Sequence, residues 1–254
     1  MSRRPLMAGN WKMFKTISEG VDLVKKLGAQ TLGVTDRDIL VCPPFTALAA
    51  VAHAAKGTSI AVGAQTMNDN LSGAFTGEVA PGMIKDAGAS HVIIGHSERR
   101  QIYGETDALV NKKAKLALEQ GLTPVVCVGE TLVEREAGNT FKVVERHVVE
   151  GLKGFSATQA ASVVVAYEPV WAIGTGKTAT PAQAQEVHAF IRKKLETLFG
   201  AEAARVRILY GGSVKPDNID QLMSQPDIDG GLVGGASLKA EDFARIVKFQ
   251  KIPA

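Results

Sequence analysis

The amino-acid sequence predicts a single-domain α/β protein folded as a closed (β/α)8 barrel. Eight short β-rich runs are spread over 254 residues, segments of helical period lie between them, and no linker divides the chain. Barrels of roughly 250 residues routinely form one domain, so 1–254 is read as one unit.

The runs fall at 6–9, 39–42, 59–64, 91–95, 123–128, 162–167, 206–210 and 228–233. Most are unbroken apolar runs rather than alternating ones, the pattern of strands covered on both faces and typical of parallel sheets. Between them, Ile17, Val21, Val24 and Leu27 share one helical face, as do Phe141, Val144, Val148 and Leu152. A third face carries Ala184, Val187, Ile191, Leu195 and Leu198. Thr16 with Glu19, and Thr180 with Gln183, fit capping boxes, the second with Pro181 at the first helical position. An open doubly wound sheet uses the same units and is the alternative architecture.

Composition excludes several function classes. A net charge of +3 is spread along the chain without a basic stripe, and aromatics make up 6%, which speaks against a nucleic-acid partner. The start has no apolar core of signal-peptide length, and the alanine-rich stretch 47–55 is too short to span a membrane. Cys42 and Cys127 lie in apolar runs, which fits reduced buried thiols and a cytoplasmic location.

In a barrel of this kind the functional groups gather where strands end and loops begin. Asn10-Trp11-Lys12 follows the first run, His96-Ser97-Glu98 the fourth, and Gly129-Glu130 the fifth. Glu168-Pro169 ends the sixth, Gly211-Gly212-Ser213 the seventh, and Gly234-Gly235-Ala236-Ser237 the eighth. Turn chemistry accounts for glycines at such places, but not for a lysine, a histidine and a glutamate at one end.

Glu168 precedes a proline and so belongs to a strand end. Loss of hydration there raises a carboxylate's pKa and suits it to act as a base; a structural ion pair explains the position equally well. The apolar segment 169–173, followed by Gly174-Thr175-Gly176-Lys177, suits a lid that excludes water, or a loop packed permanently on the body. Gly176-Lys177-Thr178 imitates the tail of a nucleotide loop, but the first glycine that loop needs would fall at Trp171. Ser213, Gly234 and Gly235 stand where barrels often hold a phosphate. His53, His91, His147 and His188 have no partner at metal-ligand spacing, so no metal and no cofactor is expected. His96 opens a short helical stretch, which favours a neutral ring that donates one hydrogen bond.

A carboxylate base, a neutral donor, a lysine and a phosphate cradle together suit proton abstraction next to a carbonyl. A Schiff-base aldolase with Lys12 as nucleophile, and a non-catalytic phosphate-binding barrel, are the alternatives.

The segments 8–12, 73–78, 94–100, 125–130, 166–176, 209–213 and 232–237 resemble the triosephosphate isomerase family, in order and without large insertions. That resemblance implies a TIM barrel that interconverts dihydroxyacetone phosphate and glyceraldehyde 3-phosphate in glycolysis and gluconeogenesis. It implies Glu168 as base, His96 as electrophile, and Asn10 and Lys12 in contact with substrate. It places Ser97, Glu98 and Glu130 behind these groups as support, and makes Gly174, Ser213, Gly234 and Gly235 the phosphate grip. Ile173 and Leu232 become an apolar clamp over the base, while Trp171 and Tyr210 serve the lid. It also implies a homodimer in which the long loop 65–78, carrying Phe75 and Thr76, packs near Lys12 of a second copy.

Overall fold

The computed structural model of the chain describes residues 3–173 and 178–252. Eight parallel strands run β1 (Leu6–Asn10), β2 (Asp38–Cys42), β3 (Ile60–Ala64), β4 (His91–Ile94), β5 (Thr123–Val128), β6 (Val164–Tyr167), β7 (Arg207–Tyr210) and β8 (Gly230–Val233). Each pairs with its sequence neighbours, and β1 returns to β8 through Leu6↔Gly230 and Met7↔Gly231. That last pairing closes the barrel and removes the open-sheet alternative. It also depends on a glycine. Gly230 has φ +151, and a Cβ there would collide with the Leu6 carbonyl oxygen.

The unbroken apolar runs follow from this closure. Leu6, Ala8, Leu40, Ile93, Val125, Ala166 and Leu209 pack together in a cluster drawn almost entirely from strands, the barrel interior. Their neighbours Met7, Ile39, Val41, Val126 and Ile208 pack instead with helical residues such as Val24, Leu27, Ile191 and Leu195. Strand residues are thus buried on both faces, so neither parity needs a polar side chain.

The helices Ile17–Gln30, Thr140–Gly151 and Pro181–Phe199 form where the 3.6-residue period placed them. Both expected capping boxes are present: Thr16 with Glu19, and Thr180 with Gln183. The ends of the apolar faces depart from expectation. Ile17, Phe141 and Leu198 are 51%, 37% and 41% exposed, because an end residue overhangs the barrel it is meant to cover. In the first helix Gly20 and Leu23 complete the buried stripe. Phe141 lies against Phe190 of the next long helix, ring centroids 4.8 Å apart. No helix among the described residues is long and apolar enough to cross a membrane.

Candidate active site

The carboxyl ends of the strands bring the expected residues around one cavity of about 330 Å³. Asn10, Lys12, His96, Glu168, Ile173, Ser213, Leu232, Gly234 and Gly235 all line it. Gly174 lies outside the described residues.

Glu168 follows β6 directly and continues its ladder, its N–H donating to the Val128 carbonyl at 2.7 Å. The side chain is buried to within 2%. One carboxylate oxygen meets His96 Nε2 at 2.9 Å; the other accepts the Ser97 N–H at 2.9 Å. Burial raises the Glu168 pKa, as expected from its position. The neighbouring His96 and the Ser97 N–H outweigh burial, so the carboxyl is held below its ordinary value. The expectation of a raised pKa is therefore corrected: the net shift at Glu168 is downward, toward the ionised form.

His96 caps the helix Ser97–Tyr103, and its Nδ1 accepts the Glu98 N–H at 3.2 Å. A ring that accepts at Nδ1 carries its proton on Nε2, the atom that faces Glu168. Burial of the ring opposes its charging, while the charge and hydrogen bond of Glu168 raise its pKa above the usual value. The ring is thereby poised as a donor at Nε2.

Lys12 stands just past β1 with φ +52, a left-handed conformation unfavourable for a side chain with a Cβ. Three contacts hold it there. Asn10 Oδ1 accepts the Lys12 N–H at 3.1 Å, and Gln65 Nε2 donates to the carbonyls of Lys12 and Cys42 at 2.8 and 2.9 Å. Lys12 Nζ reaches Glu98 Oε1 at 2.6 Å. From the sequence Gln65 is only the first residue of the loop 65–78; its clamp on Lys12 leaves no pattern in the chain.

Behind the cavity, Glu130 is fully buried and anchors the segment after β6. It accepts from the Tyr167 hydroxyl at 3.1 and 3.2 Å, from Trp171 Nε1 at 2.9 Å, and from Arg135 at 3.3 Å. The Tyr210 hydroxyl faces the Ala179 backbone beyond the loop without a hydrogen bond of good geometry. Burial pushes its pKa up to about 12, so it stays a neutral phenol.

The strand-end glycines are fixed by close approach as well as by turns. A Cβ at Gly129 would collide with the Glu168 carbonyl, and one at Gly211 would lie 2.9 Å from Glu168 Cγ. A Cβ at Gly212 would overlap the Tyr210 hydroxyl. Gly235, by contrast, opens on free space at the mouth of the cavity.

His147 and His188 are buried, and each has a backbone partner: Gly129 N–H at 3.2 Å and the Asp227 carbonyl at 3.1 Å. Both cysteines are free and buried, and burial pushes both thiols up, so neither is a nucleophile.

A buried carboxylate, a donor at His96 and a lysine thus stand together over a glycine-lined recess. Comparison with known proteins supplies the family. The triosephosphate isomerase family model matches residues 5–250. The chain belongs to the triosephosphate isomerase family. It is 60% identical to the triosephosphate isomerase of Herpetosiphon aurantiacus, over 98% of this chain and 100% of that one. It is 59% identical to that of Endomicrobium trichonymphae, again over 98% and 100%. The crystal structure of triosephosphate isomerase from Bartonella henselae superposes with a TM-score of 0.87 at 43% identity, covering 96% of this chain and 97% of the other. The likeness in triosephosphate isomerases thus spans the whole barrel and every strand end that lines the cavity.

Proposed function

We propose that this chain interconverts dihydroxyacetone phosphate and D-glyceraldehyde 3-phosphate in glycolysis and gluconeogenesis, by proton transfer through an enediol(ate). The observation that carries this reading is the buried Glu168 carboxylate, 2.9 Å from His96 Nε2, in a cavity that also holds Lys12 and Ser213.

Glu168 removes a proton from the carbon next to the carbonyl. His96 donates from Nε2 to the carbonyl oxygen as negative charge develops there, and Lys12 and Asn10 balance the enediolate. Glu168 then returns the proton to the neighbouring carbon. Meanwhile the proton of the adjacent hydroxyl passes by way of His96 to the former carbonyl oxygen, so that the carbonyl moves to the carbon first deprotonated and His96 ends as it began. This division of labour is the one familiar from the triosephosphate isomerase family itself. Substrate must enter between Glu168 and His96, so their hydrogen bond opens on binding. Losing those partners leaves burial to act on the carboxylate, which strengthens it as a base when a carbon acid is in reach. Ile173 and Leu232 cover the base with apolar surface and exclude water. Ser213, Gly234 and Gly235 hold the phosphate through backbone N–H groups, together with Gly174 outside the described residues.

The 254 residues act as one barrel domain, in the cytoplasm, and without a metal or cofactor. They form a homodimer through loop 65–78. Its residues 71–78 are exposed and carry Leu71 and Phe75, while Met13 and Tyr103, 92% and 65% exposed, border a recess beside Lys12. Such apolar side chains in the open suit burial by a second copy. Sedimentation is expected to give the mass of a dimer, and a monomer contradicts that assembly. The activity is tested by a coupled assay of the purified chain with glyceraldehyde 3-phosphate. Turnover is expected, and none overturns the reading.

A further inference from the structure

His96 and Glu168 meet at 2.9 Å, yet they stand at the ends of different strands, β4 and β6, with β5 between them. Glu168 is anchored to β5, through its N–H on the Val128 carbonyl at 2.7 Å. The placement of the end of β4 against the end of β5 is therefore part of the distance between donor and base. Proton transfer tolerates little error there, since a shift of about 1 Å can cost on the order of 100-fold in rate.

One side chain joins those two strand ends. Arg100 lies in the helix Ser97–Tyr103 that His96 caps, and its N–H donates to the His96 carbonyl at 3.1 Å. Its Nε donates to the Gly95 carbonyl at 2.8 Å, in the peptide that leads into His96. Its Nη2 donates to the carbonyl of Cys127, the neighbour of Val128, at 3.3 Å. Its Nη1 donates to Asp107 Oδ1 at 2.6 Å, which orients the fork. A planar guanidinium holds three acceptors at fixed mutual angles, which an ammonium cannot do. The approach also requires Gly95, whose φ is +69: a Cβ there would lie 3.1 Å from Arg100 Nη2 and 2.7 Å from Val110 Cγ2. Arg100 does not line the cavity that holds Lys12 and Ser213. It lines a second cavity of about 320 Å³ behind the catalytic pair, and among the described residues the two cavities share only Glu168.

We propose that Arg100 is a positioning residue for proton transfer, its guanidinium clamping the Gly95 and Cys127 carbonyls so that His96 and Glu168 are held at working distance. The inference rests on the isomerase reading and deepens it, since it names what sets the donor against the base from outside the substrate cavity. Removing the side chain leaves Asp107 paired with Arg146 Nε at 3.2 Å, so no carboxylate is stranded. It also opens the place of the guanidinium to the second cavity, through which a small planar cation can return.

The test measures kcat and KM with glyceraldehyde 3-phosphate, and inhibition by inorganic phosphate, for the full chain and its Arg100 variants. Arg100→Ala is expected to lower kcat on the order of tenfold or more, while KM and the phosphate inhibition constant stay within about threefold. Guanidinium chloride, far below the concentrations that unfold proteins, should restore part of the lost kcat saturably in Arg100→Ala and none in Glu168→Asp, whose base is withdrawn rather than unclamped. Arg100→Lys keeps the charge without the fork and is expected to stay impaired in kcat. It serves as the test by itself if Arg100→Ala does not fold. Full kcat in either variant overturns the proposal, as does a parallel loss of kcat and phosphate inhibition, or a guanidinium response absent from Arg100→Ala or shared by Glu168→Asp. Absence of turnover in the unaltered chain would instead refute the isomerase reading, which separates the two failures.

Discussion

Glu168 and His96 illustrate how one pair of side chains is tuned by opposing forces. Burial pushes the carboxyl toward protonation, while His96 and the Ser97 N–H hold its pKa below the ordinary value. The position of the carboxylate matters as much as its charge. Glu168→Asp withdraws it by one methylene, and misplacement of about 1 Å costs on the order of 100-fold in rate. The expected outcome is a kcat lowered by roughly that factor, with inhibition by inorganic phosphate little changed, because the phosphate recess is untouched. Equal losses in both would place Glu168 in general binding rather than in proton transfer. At this scale the sequence was most legible where a residue type is rare for its place, as with a glutamate before a proline at a buried strand end. It was least legible where a role depends on three-dimensional approach. The lowered pKa of Glu168 comes from His96, distant in sequence, and the left-handed backbone of Lys12 and the Gln65 clamp leave no pattern in the chain.

The elements follow local chemistry closely. The helix Pro181–Phe199 starts at Thr180, whose Oγ1 accepts the Gln183 N–H at 3.2 Å while Gln183 Oε1 accepts the Thr180 N–H at 3.0 Å. This box fixes the point at which the chain leaves the loop after β6 and enters the helix that covers it. Thr180→Ala is expected to destabilise the protein by about 1 kcal/mol, read as a lower denaturant midpoint with an unchanged slope. An unchanged midpoint would mean that packing alone sets the start of the helix. Strands were legible because closure buries both faces and leaves apolar runs without alternation. Helix faces were legible in their middles but not at their ends, since only the fold decides whether Ile17 or Leu198 overhangs the barrel edge. Closure itself was legible only as a count of eight units, because an open sheet uses the same strands; Gly230, placed against the Leu6 carbonyl, is its physical signature.

Across the molecule, three histidines share a property that shapes stability. Burial holds His91, His147 and His188 at pKa values of about 4, below the ordinary 6.5, so all three are neutral in the folded protein. The unfolded chain binds protons at these sites below pH 6.5, whereas the folded chain resists until about 4. Their contribution is therefore present above 6.5 and is lost as the pH falls through that window. For the fully buried His188, the difference is worth roughly 3 kcal/mol. Stability is expected to decline steadily between pH 6.5 and 4, and to decline less steeply in His188→Gln. A variant with the same slope as the unaltered protein would remove His188 from that dependence. The barrel thus couples a buried framework, sensitive to acid, to a site whose chemistry is built at its carboxyl rim.

The claim that joins these scales is that Glu168 carries a proton between adjacent carbons of the substrate. Proton NMR of the products formed from dihydroxyacetone phosphate in deuterium oxide tests it most directly. A carboxylate base exchanges its proton with solvent, so glyceraldehyde 3-phosphate should carry deuterium at C2, and Glu168→Asp should slow this incorporation in step with turnover. Turnover and deuterium incorporation that both persist unchanged in Glu168→Asp would contradict it.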